Sequence, residues 1–477
     1  MKCSIILFLI LCAFTVKGQN CNCANDFRFM TEKVKNNYVG YYDKVNEATI
    51  SRFKQYTDSL QQVAARSDTH ECLFVLRAWL HFFGDLHMNV MIKDDTSNYD
   101  VIRKAFRNSE ITTQTPETFM AYLRHNKKHL DSLEGIWEDE SKSYKVGIIK
   151  QEHGGITDFS GFMLKADSIF WFPRQVKMTV RKTNSKYKIL SFYTRDHSSS
   201  HPTIAVTVNT LNLGLYGVWH KVYPENTGSA YSPAAPGKYR EPWFKVLDAQ
   251  HCLLVMPSFG LVYKSKIDSL IEENKSILDK TRELIIDVRN NGGGSVLCFE
   301  NLIPYIYTRP IITEGAAVRA TEDNIRDYYA ITDYPNVSDS MKAVFRKEAA
   351  DLTAHVGTFY NLWPSDTLVL PGQKKFPEKV AIIVNENSAS STELFLLKAK
   401  QSSKVKTYGA HTMGAVDYAD VVTSKMPCSI FVLRYPTSRT NRPPAERIDN
   451  IGIQPDVNIA DSVTDWVEFV KMADNEK

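Results

Sequence analysis

The chain has 477 residues, 43% of them hydrophobic and 23% charged, with a formal net charge of +4. That length accommodates two or three domains with substantial cores. The charge is too small and too evenly spread for a function resting on nucleic acid or an anionic membrane surface.

Met1-Lys2 leads into the short apolar stretch Ile5–Phe14 and then Val16-Lys17-Gly18, the pattern of a secretory signal peptide over residues 1–18. The stretch is too short to span a bilayer, and the rest of the chain has no apolar run of spanning length. The mature protein is therefore expected to be exported, periplasmic or extracellular, without a membrane span. Six cysteines follow the signal: Cys21, Cys23, Cys72, Cys252, Cys298 and Cys428. Cys21 or Cys23 is a candidate partner for Cys72, although six cysteines allow 15 connectivities. His125/His129 and His197/His201 have a chelating spacing, but no Cys-x-x-Cys accompanies them, and no metal is expected.

Residues 19–134 read as a helical region. Asp26 is placed to cap a first helix carrying Phe27, Met30, Val34 and Tyr38 at helical intervals; Ile50–Arg66, Thr69–Phe83 and Thr115–Leu133 continue the pattern. The third of these stops at Gly84, and Gly84–Val90 leads into an extended run. At Gly135-Ile136-Trp137 the period switches to two, and residues 135–226 read as a β-rich domain. Tyr144–Lys150, Gly161–Ala166, Gln175–Arg181, Tyr187–Tyr193 and Thr203–Val208 are its strands, the spacing of a small antiparallel barrel or sandwich. Gly228–Lys238 reads as a linker.

Residues 227–477 alternate buried strands with helices, which implies a largely parallel sheet covered on both faces. Cys252–Met256, Leu284–Val288, Val380–Val384, Lys404–Tyr408 and Ser429–Arg434 are the strands. Ser265–Lys280, Cys298–Tyr307, Thr392–Lys400 and most of Asp323–Asn361, with a break at Pro335, are the helices.

Two stretches carry chemistry. In Lys379–Ser402 an apolar strand runs through small polar residues straight into a helix, presenting Ser390 beside free backbone N–H groups. That suits a nucleophile next to an oxyanion site, although Ser390 and Glu393 also fit the spacing of a helix capping box. In Leu284–Gly294 the glycines Gly292–Gly294 follow a buried strand directly, which frees backbone N–H groups to approach a developing oxyanion. Asp287 and Arg289 read as a structural ion pair. For a base, His87 sits past a helix end beside Asp85, and His411 is the rival.

Together, Leu284–Gly294, Ser388–Glu393, Gly409–Gly414 and Asp449–Asp456 resemble, in this order, motifs of the tail-specific (C-terminal processing) protease family. The Asp-x-His segment within Gly84–Val90 resembles the N-terminal part of the same family. The resemblance implies an α/β fold: a crotonase-like catalytic core, with an N-terminal helical region and, here, an inserted antiparallel β-barrel-like domain in place of a recognisable PDZ domain. Ala415 stands where the Ser–Lys branch carries its lysine, so the chain resembles the tricorn-like branch with a Ser/His/acid site. That implies Ser390 as nucleophile, His87 as general base and Asp449, where the family more often has glutamate, as the acidic partner. The backbone N–H groups of Gly292, Gly293 and Ser391 would bind the oxyanion. The implied activity is serine-type endopeptidase action on a peptide or protein substrate, which requires no cofactor. The alternative is a catalytically silent member that binds a ligand or protein through its β-domain.

Overall fold

The computed structural model describes residues 21–93, 95–183, 186–202, 204–224, 241–330, 338–460 and 463–475. The expected signal peptide, the expected linker Gly228–Lys238 and Pro335 lie outside the described residues. Among the described residues no helix is long and apolar enough to cross a membrane.

Helices span Cys23–Asn37, Ile50–Ala64 and Thr69–His81, as their apolar periods predict. Asn22, rather than Asp26, caps the first, accepting the Asn25 N–H. Asp26 is buried within that helix and accepts the Cys428 N–H at 2.8 Å, with burial pushing its carboxyl up to about 6. Cys23 pairs with Cys72 and Cys21 with Cys428, while Cys252 and Cys298 are free and buried. The helix expected over Thr115–Leu133 covers only Pro116–His125. Beyond it the carboxylates of Asp131 and Glu134 capture the N–H groups of Leu133 and Asp131 in a turn, competing with helical hydrogen bonds.

From Gly135 the chain builds a nine-stranded antiparallel sheet. Its central run is Lys186–Tyr193, Val176–Thr183, Ile156–Lys165, Lys145–His153, Gly135–Asp139 and Val218–Tyr223. No pairing closes the two ends of the strand order among the described residues. The strand expected over Thr203–Val208 shrinks to Ala205–Val206, and Thr203 lies outside the described residues. One hydrophobic cluster joins Phe27 and Trp79 of the helices, Trp137 and Phe159 of this sheet, and Tyr435 near the far end of the sequence.

The second half is α/β. Six strands, Trp243–Val246, His251–Val255, Glu283–Asp287, Lys379–Val384, Val405–Gly409 and Val457–Asn458, lie in that spatial order, all parallel except the first. The helices Lys264–Glu273 and Ser391–Ala399 bury Ile267, Ile271, Phe395 and Leu396 with Leu284, Ile286 and Val380 on one face. Val470 of Trp466–Asn475 packs with Ile285 and Ile383 on the other. Covering on both faces explains the unbroken apolar runs of these strands.

Two helical expectations are corrected. Cys298–Tyr307 is broken into 3-10 turns, Val296–Cys298 and Glu300–Leu302, before the short helix Ile303–Ile306 that Pro304 opens. Asp323–Asn361 contains a five-residue π-turn, Ile325–Tyr329, the helix Asp339–Thr353 and a strand, Phe359–Trp363. That strand belongs to a further sheet in which Phe431–Thr440 pairs with Asn89–Ile92, Ala316–Arg319 and Tyr418–Lys425. Asn89 lies opposite Arg434, so the segment after His87 is zipped onto the C-terminal half.

Candidate active site

Glu283–Asp287 and Lys379–Val384 pair from Glu283↔Lys379 to Asp287↔Ile383, so the glycine stretch and the serine turn leave the sheet side by side at its carboxyl edge. Small polar groups stitch them together. The Ser388 hydroxyl donates to the Val288 carbonyl at 2.9 Å, and the Asn290 N–H donates to Asn385 Oδ1 at 2.8 Å. The Ala389 N–H and the Thr392 hydroxyl donate to the Asn291 carbonyl at 2.9 and 3.0 Å. Asn291 is fully buried; its Nδ2 donates to the Met256 carbonyl at 2.9 Å and its Oδ1 accepts the Gly293 N–H at 3.0 Å. Asp287 and Arg289 form the expected ion pair at 2.6 Å.

Ser390 heads the helix Ser391–Ala399 with φ 55° and ψ −120°, a conformation that costs an L-residue on the order of 1–3 kcal/mol. Gly293 makes the turn possible. At its φ of +95° a Cβ would lie 2.8 Å from both the Ala389 carbonyl oxygen and the Ser390 Cβ. The Ser390 N–H donates to Glu393 Oε2 at 2.9 Å. Glu393 does more than cap a helix: fully buried, it also accepts the Thr412 hydroxyl at 2.6 Å and the N–H groups of Gly414 and Ala415 at 2.7 and 2.8 Å.

Of the three expected oxyanion donors, Gly293 has its N–H committed to Asn291. The Ser391 and Gly292 N–H groups have no acceptor among the described residues. Gly292 is exposed, and a Cβ there would meet nothing within 4 Å. Of the two glycines, Gly292 is thus the one whose N–H is uncommitted.

His87 lies half-buried between the helix Thr69–His81 and the strand Asn89–Ile92. Burial first, and the nearby Arg434 charge second, push its imidazole down to about 4, against a hydrogen bond from the ring to the Tyr418 backbone carbonyl. The carboxylate nearest the ring is Asp85, whose Oδ1 accepts the His87 N–H at 2.9 Å and lies 4.0 Å from Nδ1. Asp85 is itself buried, with the Tyr38 hydroxyl donating to it at 2.7 Å. Burial pushes its carboxyl up to about 7, opposed by the Tyr38 and His87 hydrogen bonds and reinforced by the charge of Asp449.

The Asp449 N–H donates to Asp417 at 2.7 Å, its carboxylate meets Lys44 Nζ at 2.5 Å, and Asn450 Nδ2 donates to the Gly84 carbonyl at 2.5 Å. The structure therefore brings the 84–87 and 449–450 segments together. Among the described residues, however, no hydrogen bond joins Ser390 to His87, and no ion pair joins His87 to Asp449. His411 is exposed, with Nδ1 2.8 Å from the Thr412 carbonyl next to it.

Residues 250–459, the stretch that holds the parallel sheet, the glycine turn, Ser390 and Asp449, match peptidase family S41. His87 lies before the S41 stretch, delivered by the N-terminal region. The chain is also similar to a probable CtpA-like serine protease of Staphylococcus haemolyticus, 37% identical over 82 residues, which are 17% of this chain and 16% of that protein. The match thus spans about one sixth of that relative's length. Among solved structures, mature CPAF complexed with lactacystin is 14% identical over 92% of this chain and 93% of that one, with a TM-score of 0.47. A putative peptidase from Parabacteroides merdae is 14% identical over 96% and 97%, with a TM-score of 0.44.

Sequence reasoning missed the second loop held by Glu393, the double use of Asn291, and the Tyr38 and Lys44 partners of the two acids. Asn290-Asn291 directly before the glycines was a readable signal for Asn291. For Lys44, some 400 residues from its partner in sequence, there was none.

Proposed function

We propose that the protein is an exported serine-type endopeptidase that cleaves peptide bonds through an acyl-enzyme on Ser390. The observation that carries this reading is the strained Ser390 turn, flanked by the unengaged N–H groups of Ser391 and Gly292 and lying inside a stretch that matches a peptidase family. In this mechanism His87 accepts the Ser390 proton as the hydroxyl attacks a peptide carbonyl, then returns it to the leaving amine. Ser391 and Gly292 donate to the oxyanion, an effect worth about 3–4 kcal/mol per donor. Asp85 orients the imidazole, with Asp449 behind it as the second carboxylate. Water then enters and releases the acid.

Two disulfides support an oxidising, extracytoplasmic setting. We read residues 227–477, which contain the S41 stretch, as a crotonase-like core, the helical region as 19–134, and the nine-stranded sheet as a barrel-like module over 135–226. The match to a peptidase family does not favour the catalytically silent alternative.

The test is labelling of the mature protein with a fluorophosphonate, with mass spectrometry to locate the adduct, alongside His87→Ala. The expected result is a label on Ser390 that disappears in H87A. A folded wild-type protein left unlabelled at Ser390 overturns the peptidase reading, and an equally labelled H87A removes His87 as the base.

A further inference from the structure

We infer that Glu393 is the positioning residue of this site, setting the conformation of the Ser390 turn and the placement of His87 and Asp449 through one buried carboxylate. The inference rests on the serine-peptidase reading above and extends it to a residue that touches no substrate.

Glu393 is fully buried, and each of its oxygens accepts two donors. Oε2 takes the N–H groups of Ser390 and Ala415; Oε1 takes the Thr412 hydroxyl and the Gly414 N–H. The first contact turns the Ser390 N–H inward. That fixes the peptide plane ahead of the serine and leaves the Ser391 N–H as the donor facing away from the protein's own acceptors. The other three contacts pin the 412–415 segment. Thr412 Oγ1 passes the restraint on by accepting the Ile453 N–H at 2.7 Å. Gly414 is packed so closely on the 448–452 turn that a Cβ would lie 2.5 Å from the Ile448 carbonyl oxygen.

The pinned segment then runs directly into the rest of the site. Asp417 accepts the Ile448 and Asp449 N–H groups at 2.6 and 2.7 Å, which fixes the Asp449 turn. The Tyr418 backbone carbonyl accepts a hydrogen bond from the His87 ring, and the Tyr418 hydroxyl donates to Asp43 at 3.0 Å. Residues 412–418 therefore touch the holders of all three side chains, and Glu393 joins that segment to the serine. A helix-capping role alone accounts for one of its four hydrogen bonds.

Glutamine at this position has the right size but only one acceptor oxygen, so its NH2 group must face two of the four donors. The test measures fluorophosphonate inactivation of the full chain, separating the maximal rate kinact from the half-saturating concentration KI, in wild type, Glu393→Gln, Thr412→Val and Thr412→Ser. The expected result is a fall in kinact on the order of 10²-fold in E393Q with KI changed by less than about 3-fold, as for a displaced reacting group. T412V falls in the same direction, and T412S, which keeps the hydroxyl, recovers the rate lost in T412V.

A folded E393Q that labels at the wild-type kinact overturns the inference. If E393Q does not fold, T412V and T412S decide the matter: wild-type kinact in T412V, or a loss that T412S does not recover, overturns it equally. A wild-type protein that takes no label at Ser390 sinks the peptidase reading and this inference together, whereas labelled wild type with indifferent variants sinks only the inference.

Discussion

Lys44 Nζ sits 2.5 Å from Asp449 Oδ2, so the carboxylate that sequence motifs assign to the imidazole is held by a lysine of the N-terminal region instead. The pair is largely buried, and leaving one partner of such a pair without its counter-charge costs more than the pair itself contributes. Lys44→Met should therefore destabilise the fold by roughly 1–3 kcal/mol. The Lys44 charge also draws the Asp85 carboxyl downward, so the same substitution should move the Asp85 titration above about 7. Denaturant midpoints and the pH profile of Ser390 labelling read the two effects separately; an unmoved profile contradicts the electrostatic link.

The profile itself carries a prediction. The neutral imidazole is the form that accepts a proton, and burial holds His87 down to about 4, so labelling should rise as pH climbs through about 4 rather than through its ordinary 6.5. A second rise should follow near pH 7, where Asp85 becomes a carboxylate beside the ring. Asp85→Asn should erase the upper step and keep the lower. A lone step near 6.5 in wild type is incompatible with this assignment.

The two glycines of the turn should behave differently. Gly293→Ala forces a Cβ against Ala389 and Ser390 at positive φ, and should cost about 1–3 kcal/mol in stability with a large loss of labelling. Gly292→Ala has free space around the new methyl and should change stability by less than about 0.5 kcal/mol. Equal effects at the two positions would mean that the packing of Gly293 on the serine turn is not what the glycine is for.

Far from the site, Lys177 lies inside the nine-stranded sheet, with Nζ 4.2 Å from the centre of the Trp171 ring and 3.3 Å from the Thr194 carbonyl. Burial pushes the amine down to about 7 from its ordinary 10.5. Between those values the folded state binds fewer protons than the unfolded one, so this group makes stability rise with pH across the window and fall as pH drops toward 7. Lys177→Met should remove that slope and raise stability at pH 7 by up to about 4 kcal/mol. Urea midpoints at pH 7 and pH 10 check this; a slope that survives the substitution assigns it to other groups.

The parallel sheet and its two motifs were legible because the physics there is local. Strands buried on both faces must be apolar throughout, so Leu284–Val288 and Val380–Val384 announce themselves. Glycines packed on a serine turn cannot be anything else, as Gly293 shows. The helix limits near Leu133 and Cys298 were not legible, because side-chain carboxylates and Pro304 compete with apolar periodicity only in their three-dimensional setting. Nor was the pairing of Asn89–Ile92 with Phe431–Thr440, which joins segments hundreds of residues apart. His87 could be picked out as a candidate from its loop and its neighbour Asp85. Its engagement with Arg434 and Tyr418 is a product of that long-range pairing.

The tether between Cys21 and Cys428 spans 407 positions, and the strand beginning at Phe431 is the one onto which the His87 segment is zipped. A growing chain that has already produced His87 and Ser390 still lacks the strand that fixes the histidine and the thiol that locks its region in place. Assembly of the site is thereby deferred until nearly the whole polypeptide has been synthesised.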